Sequence, residues 1–320
     1  MKIINSDTHF DFMGKIKMTM TISGLVILIG LGSVALSGGL KYGIDFAGGT
    51  LIQLQFKTPP DIEVIRDGLK TISLGESTIQ EFGSKRDILI RIQRSEEKLE
   101  AVGSKVRNSL GGKFNKEDIT IERVEMVGPK VGRDLREKAL LSILYAIIGI
   151  VIYISWRFEL QYAVAAIIAL VHDVLVTLGA FSILDKEFTL VIIAAFLAII
   201  GYSLNDTIVV FDRIRENYTA GRGGSDLRSI INTSLNETLN RTIITSMTTF
   251  LAVIVIVWLG SGLIQSFATT LLIGIVVGTY SSLFIASPVL IVMDRWVQNQ
   301  QAAKKLRQSQ SPTIEPSPEV

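Results

Sequence analysis

The sequence predicts a polytopic α-helical membrane protein with six transmembrane helices and a small α+β, ferredoxin-like domain outside the membrane, between helices 1 and 2. The chain has a mean hydropathy of +0.43, and only 19% of its 320 residues are charged. Its apolar residues form long blocks rather than the scattered pattern of a soluble core. Between the first two blocks lie roughly 100 residues of ordinary soluble composition, enough for one small domain.

Six blocks are long enough to cross a hydrocarbon core of roughly 30 Å, which takes about 20 helical residues. They lie at residues 18–36, 139–155, 162–184, 188–211, 242–259 and 267–293. The other segments are an N-terminal segment (1–17), the exterior domain (37–138), a loop between helices 4 and 5 (212–241) within the helical region 139–297, and a tail (298–320) whose Gln, Ser and Pro content predicts disorder. Helix 1 has full length and follows Lys15 and Lys17, so we expect a retained anchor rather than a cleaved signal peptide.

The distribution of basic residues orients the helices, because short cytoplasmic segments carry an excess of Lys and Arg. Basic residues precede helix 1, follow helix 6, and lie between helices 2 and 3 and between helices 4 and 5. By contrast, the link 260–266 has no charge and the link 185–187 is net acidic. We therefore expect both termini in the cytoplasm. The net charge of +2 is too small to indicate nucleic-acid binding.

The exterior domain has the order strand, helix, strand, strand, helix, strand, which is the split βαβ unit of ferredoxin-like domains. The pattern places these elements at residues 50–56, 60–72, 77–82, 87–92, 95–110 and 119–127, with residues 83–86 as a hairpin. The sequence of the domain shows no nucleophile beside a base and no cluster of metal ligands, and the only two histidines, His9 and His172, lie outside it. We expect a binding or coupling surface here rather than an enzyme, and no cofactor or metal.

Helix 3 carries His172 and Asp173 near its middle. A charged side chain at this depth is costly unless it has a partner, water or a proton, so we expect Asp173 to be a proton-coupling residue, with His172 as a supporting polar group. Asp173 shares a helical face with small and polar residues, namely Ala166, Ala169, Thr177 and Ala180, which a neighbouring helix could approach closely. The alternative is that Asp173 serves only as a packing residue that holds helices together by hydrogen bonds.

Helix 4 carries Asp206 about six residues past its midpoint, with Ser203 one turn earlier and Asn205 and Thr207 beside it. Helix 5 supplies a candidate partner, because Arg241 opens it and shares a face with Thr245. We hypothesise that Asp206 takes up and releases a proton and that Arg241 adjusts its ionisation when the two are paired. The alternatives are a permanent structural ion pair, or an Arg241 that extends to the lipid headgroups.

Two further patterns lie in the helical region. Gly274, Gly278, Ser282 and Ala286 recur at every fourth position of helix 6, which indicates a face for close helix packing more than a substrate site. In the loop 212–241, apolar residues recur with helical spacing at Leu227, Ile230, Ile231, Leu235 and Leu239. This amphipathic stretch could lie along the membrane surface or contact a partner.

Three motifs lie around the predicted spans: GIDFAGGT at residues 43–50, VGPKVG at 127–132 and the stretch 201–217, which begins GYSLND. These motifs resemble those of the SecF family of protein-export membrane proteins, which is grouped with SecD in the RND superfamily. They occur in the family's order around six spans, and the resemblance covers about residues 10–298. It implies half of an RND-type transporter, whose other half would be SecD on a separate chain, in a bacterial inner membrane.

The resemblance also implies a function and partners. In this family SecD and SecF use the proton motive force to promote movement of unfolded preproteins through the SecYEG channel, after the ATP-driven step of SecA; YajC and YidC are further expected partners. The family's proton-passage residues match Asp206 and Arg241, and its His-Asp pair of less settled role matches His172 and Asp173. Other classes left open are an RND-type exporter of small molecules or lipids, and a passive scaffold of the export channel.

The glycines of the first motif have a physical role of their own. Gly43, Gly48 and Gly49, with Asp45 among them, lie where the chain leaves the membrane and enters the first strand, and glycine permits close backbone approach there. Such a junction could transmit helix movement to the exterior domain. The alternative is a tight turn without a mechanical role.

Overall fold

The computed structural model describes residues 9–92, 99–220 and 226–310. Within these ranges, six helical segments are long and apolar enough to cross a membrane, and one four-stranded sheet lies between the first two. The predicted fold class is therefore confirmed. In chain order the elements are α1 (Ile16–Leu36), α2 (Ile44–Ala47), β1 (Gly49–Phe56), α3 (Ile62–Lys70), β2 (Thr78–Phe82), β3 (Ser84–Ile92), α4 (Leu99–Leu110), β4 (Ile119–Val127), α5 (Pro129–Arg157), α6 (Leu160–Ile183), α7 (Leu190–Thr219), α8 (Leu227–Leu259), α9 (Gly262–Ser281) and α10 (Ser287–Gln310).

The domain between α1 and α5, which the sequence predicts to lie outside the membrane, contains an antiparallel sheet in the order β2-β3-β1-β4, the arrangement of a split βαβ unit. Helix α3 begins at a cap, because Asp61 accepts a hydrogen bond from the backbone N–H of Glu63 at 2.9 Å. The alternating apolar residues of the strands face the two helices and form one core, whose fully buried members include Ile52, Leu54, Ile65, Leu69, Ile90 and Val106.

The described boundaries in the domain differ from the sequence prediction by one or two residues, and by three at the start of β3. Strand β3 begins at Ser84 rather than residue 87, and the hairpin turns at Gly83, whose φ of +81° suits glycine. The pairing shifts register between Glu81 and Phe82, which lets so short a connection close. The start of the predicted helix 95–110 lies outside the described residues up to position 98, and α4 is described from Leu99.

In the helix bundle, α9 lies at the centre and contacts α6, α7 and α8. Helix α1 lies at the periphery against α6, where Gly30 meets Gly179: a Cβ built on Gly30 would lie 2.7 Å from the Cα of Gly179. Many apolar side chains of α1, α5 and α8 are exposed, as expected for surfaces that face lipid. The polar groups of the candidate site lie in the interior formed by α6 to α9.

Several helices extend beyond their predicted ends. Helix α5 starts at Pro129, α7 continues to Thr219 and α8 starts at Leu227, so most of the predicted loop 212–241 is helical. The amphipathic stretch is the first part of α8, and its buried Ile231 and Leu235 share a core cluster with Phe211 and Ile214. It packs on α7 rather than on a membrane surface, because the end of α7 offers it an apolar face.

The last span departs from a regular α-helix. Residues Ser282–Ala286 form a π-helical turn between α9 and α10, and Pro288 follows, which has no N–H to continue the backbone ladder. The hydroxyl of Ser287 donates to the carbonyl of Ser282 at 3.1 Å. Helix α10 then runs to Gln310. The prediction that disorder begins at residue 298 is therefore wrong for 298–310, and the rest of the predicted tail lies outside the described residues.

Candidate functional site: two buried carboxylates in the helix bundle

Asp173 on α6 is buried and hydrogen-bonded on both oxygens. Its side chain is 1% exposed. Its Oδ2 accepts from the hydroxyls of Ser203 at 2.6 Å and Ser281 at 2.8 Å, and Nδ1 of His172 lies 3.0 Å from Oδ1. Hydrogen bonds to a carboxylate are among the shorter and stronger ones in proteins. The sequence predicted His172, Asp173 and Ser203; the structure joins them in one cluster.

The Asp173 cluster extends to the periphery of the bundle. The ring of His172 stacks on Tyr280, with centroids 6.0 Å apart. The hydroxyl of Tyr280 donates to the carbonyl of Thr19 at 2.9 Å and lies 3.0 Å from Oγ of Ser23. Hydrogen bonds and one ring stack therefore connect α1 through α9 and α6 to α7.

Asp206 on α7 is equally inaccessible but poorly bonded. The residue is 3% exposed, and its one hydrogen bond within the described part of the chain is from Oγ of Ser246 on α8, at 3.2 Å. Oγ1 of Thr279 on α9 lies 2.7 Å from that same Oγ and 2.7 Å from the carbonyl of Ile275. Asp206 thus begins a short hydroxyl chain from α7 through α8 to α9.

Close packing of α9 on α7 brings the two clusters together. A Cβ built on Gly278 would lie 3.0 Å from Cβ of Ser203, and one on Gly274 would lie 2.3 Å from Cγ1 of Ile199. Ser282 is also buried, and its hydroxyl donates to its own helix at the carbonyl of Thr279. Because the two glycines have no side chains, α9 lies close enough for Ser281 to donate to Asp173 and for Thr279 to donate to Ser246, the partner of Asp206.

Two predicted members of the site lie apart from it. Arg241 and Asn205 are exposed, and no ion pair between Arg241 and Asp206 occurs in residues 9–92, 99–220 and 226–310. The hydroxyl of Thr245 donates to the carbonyl of Arg241 on its own helix, at 2.8 Å. The inward face of α8 instead carries the buried Thr242 and Ser246.

Sequence reasoning therefore missed four contributors: Ser246, Thr279, Tyr280 and Ser281. Ser246 follows Thr242 by four residues and precedes the buried Val253 by seven, a spacing that marks the inner face of α8. Ser281 follows Gly278 by three residues and Gly274 by seven, so it shares the face of the glycines. A strict four-residue spacing selected Ser282 instead.

The glycine-rich junction, residues 43–49, contacts the start of α5, the link before α7 and the start of α7. Gly48 and Gly49 have φ of +74° and +124°, and a Cβ on Gly48 would lie 3.2 Å from the Cα of Pro129 at the start of α5. The N–H of Gly43 donates to the carbonyl of Phe188 at 2.9 Å. Oδ2 of Asp45 accepts from the N–H of Leu190, the first residue of α7, at 2.9 Å.

A second contact fastens the sheet domain to the link before α7. Arg91 of β3 forms an ion pair with Glu187, and both side chains are mostly buried. Gln80 of β2 donates to the same carboxylate at 2.9 Å, and Arg91 also donates to the carbonyl of Tyr42 at 3.0 Å. In the described residues, no group of three or more His, Cys, Asp or Glu side chains is arranged to hold a metal ion.

Two family models match the chain. Residues 106–296 match the model described as protein export membrane protein SecD/SecF, C-terminal, and residues 36–60 match the SecD/SecF GG motif. The second match contains the junction glycines. The first covers both buried carboxylates and every helix from α5 to α9.

Known proteins of this family are similar over almost the whole chain. Protein translocase subunit SecF of Calditerrivibrio nitroreducens is 46% identical over 295 residues, which are 92% of this chain and 97% of that protein. The SecF subunit of Desulfurispirillum indicum is 49% identical over 289 residues, or 88% of this chain and 91% of that one.

Solved structures show the same architecture. The crystal structure of SecDF, a translocon-associated membrane protein from Thermus thermophilus, superimposes with a TM-score of 0.82 at 33% identity, over 92% of this chain and 40% of that chain. SecDF in its super-membrane-facing form superimposes with a TM-score of 0.67 at 34% identity, over 93% of this chain and 40% of the other. The chain thus spans about two fifths of the SecDF chains. By sequence, by motifs and by fold, this multi-pass membrane protein belongs to the SecD/SecF family of protein-export membrane proteins, among relatives that are SecF subunits of the protein translocase.

Proposed function

We propose that this chain is the SecF half of a proton-driven accessory complex that promotes movement of unfolded preproteins through the SecYEG channel, and that it is not an enzyme. SecD, on a separate polypeptide, supplies the other half. The observation that carries the proposal is Asp206: a buried carboxylate with one hydrogen bond of 3.2 Å, on a helix whose first residue is bonded to the exterior domain's junction.

Asp206 is the proton-binding group in this proposal. A buried carboxylate with few partners gains much from a proton or a cation, so a change in its surroundings changes its occupancy. Ser246 and Thr279 provide hydroxyls that both donate and accept and so can pass a proton between Asp206 and the interior of the bundle. Arg241 pairs with Asp206 only after the helices shift, since its side chain is exposed in this arrangement.

The junction carries movement to the exterior domain. Helix α7 is continuous from Leu190 to Thr219 and therefore contains both Asp206 and the N–H bonded to Asp45. The contacts of Glu187 with Arg91 and Gln80 fasten the sheet to the same end of α7. A tilt or shift of α7 on protonation of Asp206 consequently moves the domain that handles the preprotein.

The exposed polar residues Asn205 and Arg241 mark the surface where SecD docks. Both lie in spanning helices, where exposure of a polar or charged side chain to lipid is costly. A second bundle of six helices there would cover them and supply partners. The complex lies in a bacterial inner membrane with both termini of this chain in the cytoplasm and its sheet domain outside. SecYEG is the channel it serves, and YajC and YidC are further partners.

A passive scaffold is the second candidate, and the Asp173 cluster favours it. Three partners on one buried carboxylate suit a group that holds α6, α7 and α9 together. If the chain is a scaffold, Asp206 also holds helices together, through its longer hydrogen bond from Ser246. Loss of its charge would then leave export unchanged as long as the complex assembles.

The deciding experiment measures preprotein translocation into inverted vesicles that contain SecYEG, SecA, SecD and this chain, with and without a proton gradient. We expect Asp206→Asn to assemble normally and to lose the gradient-dependent increment. Asp212→Asn is the matched control, because it removes a carboxylate from the same helix at an exposed ion pair with Arg157 and Arg215. An unchanged increment in Asp206→Asn would favour the scaffold.

A further inference from the structure

A groove lies at the end of the helix bundle opposite the sheet domain, between the start of α1, the start of α8 and α10. Its volume is about 390 Å³. Its walls are mostly apolar and include Ile16 and Met20 of α1 and Val289 and Val292 of α10. Val292 is 65% exposed, so the groove opens onto the lipid-facing surface.

Three cationic residues line this groove, namely Lys17, Arg228 and Arg295, and none of its lining residues is acidic. All three are exposed. Nη2 of Arg228 donates to the carbonyl of Met13 at 2.6 Å, which holds the guanidinium at the groove. None of the three forms an ion pair with another side chain among the described residues. Elsewhere at this end of the bundle, by contrast, Arg157, Arg213 and Arg215 are each paired with carboxylates.

The shape of the groove follows from the irregular last span. The π-helical turn Ser282–Ala286 and Pro288 interrupt the regular helix immediately before the residues that form one wall. The opposite wall is fixed as well, because the backbone N–H groups of Phe12 and Met13 donate to Asn232 of α8 at 2.8 and 3.2 Å. The groove is thus bounded by elements that are each held in place.

From this combination we propose that the groove binds an anionic phospholipid of the phosphatidylglycerol type. Arginine pairs with phosphate oxygens through two parallel hydrogen bonds, and the acyl chain would lie along the apolar wall. The cations lie at the membrane surface on the side of both termini, where anionic headgroups attract basic residues. An inorganic anion would use the cations but leave the apolar wall uncovered, so the lipid is the better fit.

The test is native mass spectrometry of the purified full chain in nonionic detergent, with phosphatidylglycerol or phosphatidylcholine added at equal concentration. We expect phosphatidylglycerol to be retained at least tenfold more than phosphatidylcholine. Each cation removed, in Lys17→Gln, Arg228→Gln or Arg295→Gln, should weaken phosphatidylglycerol binding about fivefold, the effect expected for one basic residue at an anionic surface. Arg295→Lys should retain most of the binding.

Lys15→Gln is the matched control, because Lys15 is an exposed cation two residues from Lys17 that does not line the groove. It should leave binding unchanged, and an unaltered thermal midpoint confirms that each variant is folded. Equal retention of the two lipids would overturn the proposal. An equal loss of phosphatidylglycerol binding in Lys15→Gln and Lys17→Gln would also overturn it, because it would indicate attraction to the whole basic surface. Displacement of the lipid by millimolar inorganic phosphate would overturn it too, because it would indicate a simple anion site.

Discussion

The two buried carboxylates differ in their hydrogen bonding rather than in their burial. Asp173 and Asp206 are both nearly inaccessible. Among the residues that the structure describes, Asp173 has three close partners, whereas Asp206 has one at 3.2 Å. A buried charge that is fully bonded is stabilised where it is, whereas one with unused acceptor capacity responds to a proton or to a moving cation. We therefore propose that Asp173 holds helices together and that Asp206 is the group that binds and releases the proton.

The largest expected effect that tests this comparison is on stability. Asp173→Ala leaves the hydroxyls of Ser203 and Ser281 without their acceptor, and we expect a loss of about 2 to 4 kcal/mol in the free energy of unfolding. Asp206→Ala, the same change at similar burial, should cost less than about 1 kcal/mol. Unfolding by denaturing detergent from a mild-detergent solution measures both, and equal losses would remove the distinction.

A second prediction concerns the packing of α9 against Ser203, which donates to Asp173. In Gly278→Ala the new Cβ lies 3.0 Å from Cβ and 3.3 Å from Cα of Ser203, so α9 must move away from α7. We expect a loss of about 1 to 3 kcal/mol in the free energy of unfolding. Gly201→Ala is the control, since no atom lies within 4 Å of a Cβ built there, and it should gain up to about 1 kcal/mol from helix propensity. A destabilised Gly201→Ala would contradict the packing argument.

A third prediction separates the clusters one hydroxyl at a time. Ser281→Ala removes a 2.8 Å bond to Asp173 and should cost about 0.6 to 1.7 kcal/mol of stability, the range for hydrogen bonds between membrane helices. Ser246→Ala removes the longer bond to Asp206 and should cost about 0.5 kcal/mol or less. In the translocation assay the order should reverse, with Ser246→Ala losing more of the gradient-dependent increment. The same order in both assays would contradict separate roles.

The smallest expected effect on stability is at Asp118, which is an exposed carboxylate, in contrast to the buried Asp173 and Asp206. The hydrogen bond from Lys57 holds the pKa of Asp118 below its usual value, and the same bond raises the pKa of Lys57. Because the pKa of Asp118 is lowered by folding, its contribution to stability is complete above a pH of about 4 and is lost as the pH falls through the lowered value. Correspondingly, the contribution of Lys57 is complete below a pH of about 10 and is lost above it.

This exposed pair can be measured in the full chain, which has no cysteine. A dye on Lys85→Cys would report the urea midpoint of the sheet domain. Between pH 6 and pH 3 the midpoint should fall more with Asp118 present than in Asp118→Asn. Parallel pH profiles would show that the ion pair contributes nothing, as many exposed pairs do.

The sequence predicted the architecture well because its signals are local and repeated. Six apolar blocks and a strand and helix order with clear periodicity placed every span and every strand of the sheet, with errors confined to ends. The end of α7 and the start of α8 lie in the predicted loop 212–241, because their charged residues conceal two helices that pack against each other. In the same way, Pro, Ser and Gln near the C-terminus suggested disorder where α10 continues.

The candidate site was predicted in part, because rotation of a helix about its axis is not a local property. Asp173, His172 and Ser203 were found since an acid in an apolar segment is conspicuous. Ser246 and Ser281 were missed because serine is common in membrane helices and only the tertiary contact distinguishes them. A shift of one residue, about 100° around a helix, separates the predicted face of α8 from the observed one.

The bond between Asp45 and Leu190 has a geometric consequence for the movement of α7. Leu190 and Asp206 are sixteen residues apart on one uninterrupted helix, a distance of about 24 Å at 1.5 Å per residue. If the helix pivots at Asp206, a rotation of about 5° displaces its first residue by about 2 Å. A small rearrangement around Asp206 therefore displaces Leu190, at the start of α7, by more than the length tolerance of its hydrogen bond to Asp45.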